Sequence, residues 1–300
     1  MRDLNKLRSE TPGCQHKMHL NNAGAALPSR RVIKAIQDYF DLENEIGGYE
    51  AMAEKAAETN DFYISLSKML NCQPHNIAHA TSATDAYSKA LSSIIFQKDD
   101  IILTTDDDYV SNQIAFLVLE KRHGVKLIRA EKNSSGGVSV DSMANLIKKH
   151  QPKLVAVTHI PTNSGLIQDI EAIGHLCKKN NILYLVDACQ SAGQMPLDVA
   201  KIKCDFLTAT FRKFMRGPRG VGFLYVSDKV LEMNLEPIFP DLSAGVWTGK
   251  NEYHLEKTAK RFEVWERNYS LIMGATAAVN YASEVGLEDI QKRVKFSTSL

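Results

Sequence analysis

Three hundred residues, 44% apolar and 24% charged, suit a soluble globular protein able to bury a sizeable core. The 36 Lys+Arg against 35 Asp+Glu leave a net charge of +1, so bulk electrostatics recruit neither nucleic acid nor an anionic membrane. No apolar run is long enough to span a bilayer, and the N-terminus MRDLNKLRSETPGCQHK lacks the apolar stretch of a secretory signal. Five dispersed cysteines without a CxxC favour reduced thiols in a cytoplasmic protein over a disulfide framework or a metal site.

Up to residue 75 the pattern reads as helices and loops, notably 31–43 and 51–70. From there apolar runs typical of strands recur at 76–82, 100–105, 125–130, 153–160, 182–188, 204–210 and 220–226. Several are nearly continuous, as strands covered on both faces are. Helical spacing fills the gaps at 84–96, 111–122, 140–150 and 169–180. The alternation predicts an α/β doubly wound, mostly parallel seven-stranded sheet sandwiched by helices. Run 220–226 follows 204–210 too closely for a helical crossover, so an antiparallel neighbour is expected there. After residue 226 the strand signals stop and long helices follow. The expected division is a large domain over 20–255, with 1–19 and 256–300 forming part of a second, incomplete small domain.

In open α/β sheets ligands gather at the carboxyl ends of the strands. The polar residues at those ends are Ser82–Ala83–Thr84, Tyr109, Thr162–Asn163, Asp187 with Gln190, and Thr210, Arg212 and Lys213. Together they supply what pyridoxal phosphate (PLP) needs: a carboxylate for a protonated ring nitrogen, a flat side chain, an anion site and an amine for a Schiff base. Each has a plainer reading. An Asp at a strand end is commonly a helix cap, "TSATDAY" a capped helix start, Tyr109 an interface aromatic, and a lysine a solvated charge. Lys213 departs from that rule because it follows a buried-looking strand and has Arg212, Arg216 and Arg219 nearby in sequence, positive charge that would favour the neutral amine. "DDD" at 106–108 reads as a solvated turn, and "GPRGVG" as a tight turn back into the sheet, since no helix follows it.

The segments "HLNNAGAALPS", "EIGGYEA", "SATDAY", "DYVSNQ", "HIPTNSGLIQDIEAIG", "LVDACQSAGQMPLDV", "CDFLTATFRKFMRGPRGVGFLYV" and "RFEVWERN" resemble, in order, those of the class V aminotransferase family of fold type I PLP enzymes. That group includes cysteine desulfurases, selenocysteine lyases and isopenicillin N epimerase-like proteins. The resemblance implies Lys213 as the Schiff-base lysine, Asp187 at the pyridine nitrogen, and Gln190 and Thr162 near the ring oxygen. Tyr109 takes the stacking place, and Ala83, Thr84, Thr210 and Arg212 the phosphate shell. It implies Asn22 and Tyr49 as substrate-side candidates. It also implies a homodimer in which Trp247 and Thr248 complete the partner's site.

The expected function is a PLP-dependent lyase or transferase acting on an amino acid, by desulfurase-like C–S elimination. Transamination or epimerisation is the alternative within the family. A truncated, inactive PLP-fold module for binding or dimerisation is the alternative of another class, because family members usually carry a C-terminal lobe beyond the point where this chain stops. A nucleic-acid site built on Arg212, Arg216 and Arg219 is the least consistent with the charge balance.

Overall fold

The computed structural model describes residues 3–298. The helices in chain order are α1 (Leu4–Ser9), α2 (Arg30–Ile46), α3 (Gly48–Glu54), α4 (Ala56–Leu70), α5 (Ala83–Ser93), α6 (Val110–His123), α7 (Val140–His150), α8 (Ile170–Lys179), α9 (Val199–Ile202), α10 (Asp228–Glu232), α11 (Tyr269–Val285) and α12 (Leu287–Thr298). The strands are β1 (Ile77–Ala80), β2 (Ile101–Thr104), β3 (Lys126–Arg129), β4 (Leu154–Thr158), β5 (Leu183–Asp187), β6 (Phe206–Thr210), β7 (Gly222–Val226), β8 (Gly245–Gly249) and β9 (Glu252–Leu255). Side-chain oxygens start the helices that flank the sheet: Ser29 accepts from the Val32 N–H, Ser82 from Asp85, Ser139 from Ser142 and Asp169 from Ala172.

The first seven strands form one sheet in the order β1-β7-β6-β5-β4-β2-β3. Strands β2 to β6 run parallel, and β7 lies antiparallel between β6 and β1, as expected from its short connection. Alternate residues divide between two apolar layers. Leu103, Val155, Tyr184, Val186 and Leu207 face one, with Met143 and Ile147 of α7 and Ile170 and Ile173 of α8. Ile102, Leu154, Ala156, Leu185 and Phe206 face the other, with Tyr87 and Ala90 of α5 and Phe116 of α6.

The chain turns outward from β2 to β3 and then re-enters on the other side of β2 with β4. Crossovers on opposite faces leave a crevice at that reversal, beyond the carboxyl ends of β2 and β4. Two features differ from the sequence reading. Residues 51–70 are two helices, α3 and α4, and strand structure does return after 226, as the two-stranded hairpin β8–β9. Its residues Val246, Trp247 and Tyr253 are exposed, so no buried apolar run advertises it. Helix α11 buries Ile272, Ala275, Ala278 and Val279 in the same layer as Val32 of α2 and Leu66 of α4.

Candidate active site

The crevice collects residues from five strand ends. Its walls are Ser82, Ala83 and Thr84 at the start of α5, Tyr109 and Asn112, Thr158, Ile160 and Thr162, Asp187, Cys189 and Gln190, and Thr210, Arg212 and Lys213. Every cofactor-side residue singled out from the sequence except Asn163 is therefore in one cleft; Asn163 is exposed and donates to Asp107 at 3.4 Å. The substrate-side candidates are not. Asn22 lines a separate depression with Arg8, Thr11, His19 and Arg216, and Tyr49 on α3 is 71% exposed.

Asp187 ends β5 and is buried. Its Oδ1 accepts the Cys189 N–H at 2.9 Å and its Oδ2 the Asn112 carboxamide at 3.1 Å, which fixes the carboxylate and leaves lone pairs toward the cleft. Cys189 lines the same wall; burial raises its thiol pKa well above the ordinary value, and neighbouring Asp187 adds to this, so it stays a thiol. Gln190 donates to Thr162 Oγ1 at 2.8 Å and to the Ala23 carbonyl at 3.2 Å, while its Oε1 is buried with no hydrogen-bond partner among the described residues.

Lys213 follows β6 and is only 5% exposed, with Nζ 5.9 Å from the centroid of the Tyr109 ring. The group of cations expected around it comes apart in three dimensions. Arg212 shares the cleft and donates to the Gly24 carbonyl. Arg216 turns away, donating to the Leu27 carbonyl at 3.0 Å and to Thr11 Oγ1 at 2.6 Å, and Arg219 is exposed. Of those three cations only Arg212 lines the cleft with Lys213.

At the other end of the cleft, the first N–H groups of α5 have no partners within the helix, and the helix dipole adds positive potential there. Gly222 explains how the sheet comes so close. A Cβ on it would lie 2.6 Å from the Ser82 carbonyl carbon and 2.8 Å from the Ala83 nitrogen. Gly222 pairs with Thr210, so the glycine sequence read only as a turn also sets Thr210 beside the start of α5.

The model for the family "Aminotransferase class-V" matches residues 18–299. This chain belongs to that family. A probable cysteine desulfurase of Pyrococcus abyssi is 27% identical, over 98% of this chain and 74% of its own length. An uncharacterized aminotransferase of Bacillus subtilis, YcbU, is 27% identical over 93% of this chain and 73% of its own. Among solved structures, the apo cysteine desulfurase of Thermococcus onnurineus superposes with a TM-score of 0.90 at 24% identity, covering all of this chain and 76% of the other. A cystine C–S lyase complexed with cysteine persulfide superposes with a TM-score of 0.84 at 24% identity, over 92% and 74%. Both share the PLP-dependent fold type I.

As a class-V aminotransferase family member, the chain is a PLP-dependent enzyme, and its cleft fits that cofactor. It offers a fixed carboxylate, a flat ring, a buried amine and an orphaned Gln190 oxygen that can accept a ring hydroxyl. The helix start, Thr210 and Arg212 line its far end and could hold an anion there. Sequence reasoning missed Asn112, Thr158 and Cys189. Asn112 had a signal: it stands four residues after Asp108, one helical turn from the strand-end loop.

Proposed function

We propose that this enzyme cleaves a carbon–sulfur bond of an amino-acid substrate by elimination, with Lys213 moving the proton on the substrate Cα. The observation that carries the reading is the buried Lys213 amine beside the Tyr109 ring, in a cleft whose floor is Asp187. The named desulfurase relative supports the choice of bond.

When bound, PLP withdraws electrons from the bonds to the substrate Cα. Asp187 stabilises the proton on the ring nitrogen, and Gln190 with Thr162 orients the ring oxygen. The α5 N–H groups, Thr210 and Arg212 would hold the phosphate, and Tyr109 would supply a flat side chain beside the ring and exclude water. Lys213 accepts the Cα proton as a base and, as an ammonium, returns one to the product.

We further propose that the working unit is a cytoplasmic homodimer. Trp247 is 78% exposed and Thr248 is also exposed on β8; Val246 and Tyr253 extend the same hairpin, and Ile238 and Phe239 lie just before it. A second copy covering this apolar set would bring Trp247 and Thr248 to its own phosphate site. The division into a large domain over 20–255 and a small one is likewise a proposal, which limited proteolysis tests.

The deciding experiment is product analysis of the PLP-loaded protein with L-cysteine and L-cystine. Sulfide or persulfide release is expected. Amino transfer to a keto acid, or inversion at Cα without sulfur release, would replace the elimination reading. Failure to take up PLP would leave only a binding or dimerising module.

A further inference from the structure

The three consecutive aspartates do not behave alike. Asp106 is exposed and lies 3.7 Å from Arg129, and Asp107 pairs with Lys132 at 3.2 Å. Asp108 turns inward, against the expectation of a solvated turn. Its carboxylate accepts from the Asn112 carboxamide at 3.0 Å, the Gln113 carboxamide at 2.8 Å and the Thr158 hydroxyl. Each of these partners is a donor, which suits an ionised, acceptor-only carboxylate.

Two further contacts connect Asp108 to the cleft. The same Asn112 nitrogen that donates to Asp108 also donates to Asp187 Oδ2, so one carboxamide bridges two carboxylates. Asn112 is 3% exposed, and Thr158 is the cross-strand partner of Asp187, so the bridge is held from β4 as well. Asp108 Oδ1 also accepts the Tyr109 backbone N–H at 2.7 Å. Outward, Gln113 accepts from Arg129 at 2.7 Å, which carries the network to the surface.

Such an arrangement is costly for a loop that only has to start a helix. Burial pushes the Asp108 carboxyl up, the Thr158, Gln113 and Asn112 bonds oppose this, and Asp187 adds to the rise. The titratable and charged groups around the pair are Tyr87 on α5, Tyr109, Cys189 and Lys213, with Asp106, Asp107, Arg129 and Lys132 at the edge.

We propose that Asp108 is a positioning residue for the cofactor ring, orienting Asp187 through Asn112 and Tyr109 through its backbone N–H. One side chain thereby sets both the group at the ring nitrogen and the group over the ring face. Its negative charge, relayed by a single carboxamide, also favours the proton that Asp187 faces. The inference rests on the assignment of Asp187 to the ring nitrogen.

The test uses PLP-loaded Asp108→Asn, Asp108→Glu, Asp187→Asn and, as a surface control, Asp106→Asn. The readouts are the pH midpoint of the bound cofactor's visible absorbance, its visible circular dichroism and the PLP dissociation constant. Removing a negative charge disfavours the protonated cofactor, so Asp108→Asn is expected to move the midpoint down by about one pH unit. Altered ring dichroism and about tenfold weaker PLP binding should accompany it, the loss of one charge-assisted hydrogen bond. Asp108→Glu keeps the charge and should keep the midpoint near wild type while still altering the dichroism. Asp106→Asn should change nothing.

A folded Asp108→Asn with unchanged midpoint, dichroism and affinity overturns the proposal. If that variant does not fold, Asn112→Ala takes its place: the same dichroism change is expected, and its absence is equally fatal. If Asp187→Asn itself leaves the midpoint unmoved, the failure lies with the assignment of Asp187. If Asp187→Asn moves it and Asp108→Asn does not, Asp108 alone loses its role.

Discussion

Gly222→Ala adds one methyl group where the sheet meets the start of α5. The new Cβ would sit 2.6 Å from the Ser82 carbonyl carbon, 2.8 Å from the Ala83 nitrogen and 2.9 Å from the Ala209 oxygen, all of them backbone atoms. No flexible side chain can yield, so α5 and β7 must separate by 0.8 Å to bring the shortest contact to an ordinary 3.4 Å. Overpacking of this kind costs about 1–3 kcal/mol. At about 2–4 °C per kcal/mol for a domain somewhat smaller than this one, the cofactor-free protein should melt about 2–12 °C lower. The same shift withdraws the α5 N–H groups from the phosphate, and a misplacement approaching 1 Å should weaken PLP binding by about tenfold to a hundredfold. Thermal melting followed by circular dichroism and PLP titration followed by fluorescence measure the two effects. Gly249→Ala, whose Cβ would meet nothing closer than 3.9 Å, is the control and should leave both unchanged. A Gly222→Ala protein that melts within about 1 °C of wild type and binds PLP equally well would refute the argument that this glycine seats the start of α5 against the sheet.

Lys213→Ala should abolish covalent retention: after borohydride reduction and denaturation, wild type keeps the cofactor on the peptide carrying Lys213 and the variant keeps none. Glu263, whose side chain is fully buried, accepts from Tyr63 Oη at 2.9 Å, from the His79 N–H at 2.8 Å and from Arg267. Glu263→Gln should destabilise by about 3–5 kcal/mol because it leaves Arg267 without its charge partner. Urea unfolding within about 0.5 kcal/mol of wild type would show that the pair is dispensable. Burial pushes His79 down to about 3 and His159 down to about 4, and each has a buried Nδ1 without a hydrogen-bond partner among the described residues. Both stay neutral when folded but take up protons when unfolded below their ordinary value of 6.5, so stability is complete above that pH and falls as pH drops toward 4. Urea midpoints constant from pH 7.5 to 5 would contradict this.

What could be read from the sequence was whatever depends on periodicity or on position at a strand end. The seven apolar runs became the seven strands of the main sheet, including the antiparallel β7. Asp187, Gln190 and Lys213 could be placed because Asp187 ends such a run and the other two stand three residues beyond a strand end. Asp108 could not, since three adjacent carboxylates look alike in one dimension and only the turn decides which faces inward. The divergence of Arg212, Arg216 and Arg219 was hidden for the same reason: Arg216 adopts φ +58°, which redirects the chain between them. The β8–β9 hairpin was invisible because its side chains are exposed and show no burial alternation.

The place of β1 at the sheet edge has a consequence for how the chain emerges during synthesis. Its single neighbour is β7, with Ile77 opposite Tyr225, a separation of 148 residues in sequence. At about 5–20 residues per second of translation, β1 and the helix start that follows it wait roughly 7–30 s for their partner strand. During that interval the end of the cleft proposed to hold the phosphate lacks the strand that positions it. That end of the cleft can therefore form only after β7 has been made and has joined β1 to the rest of the sheet.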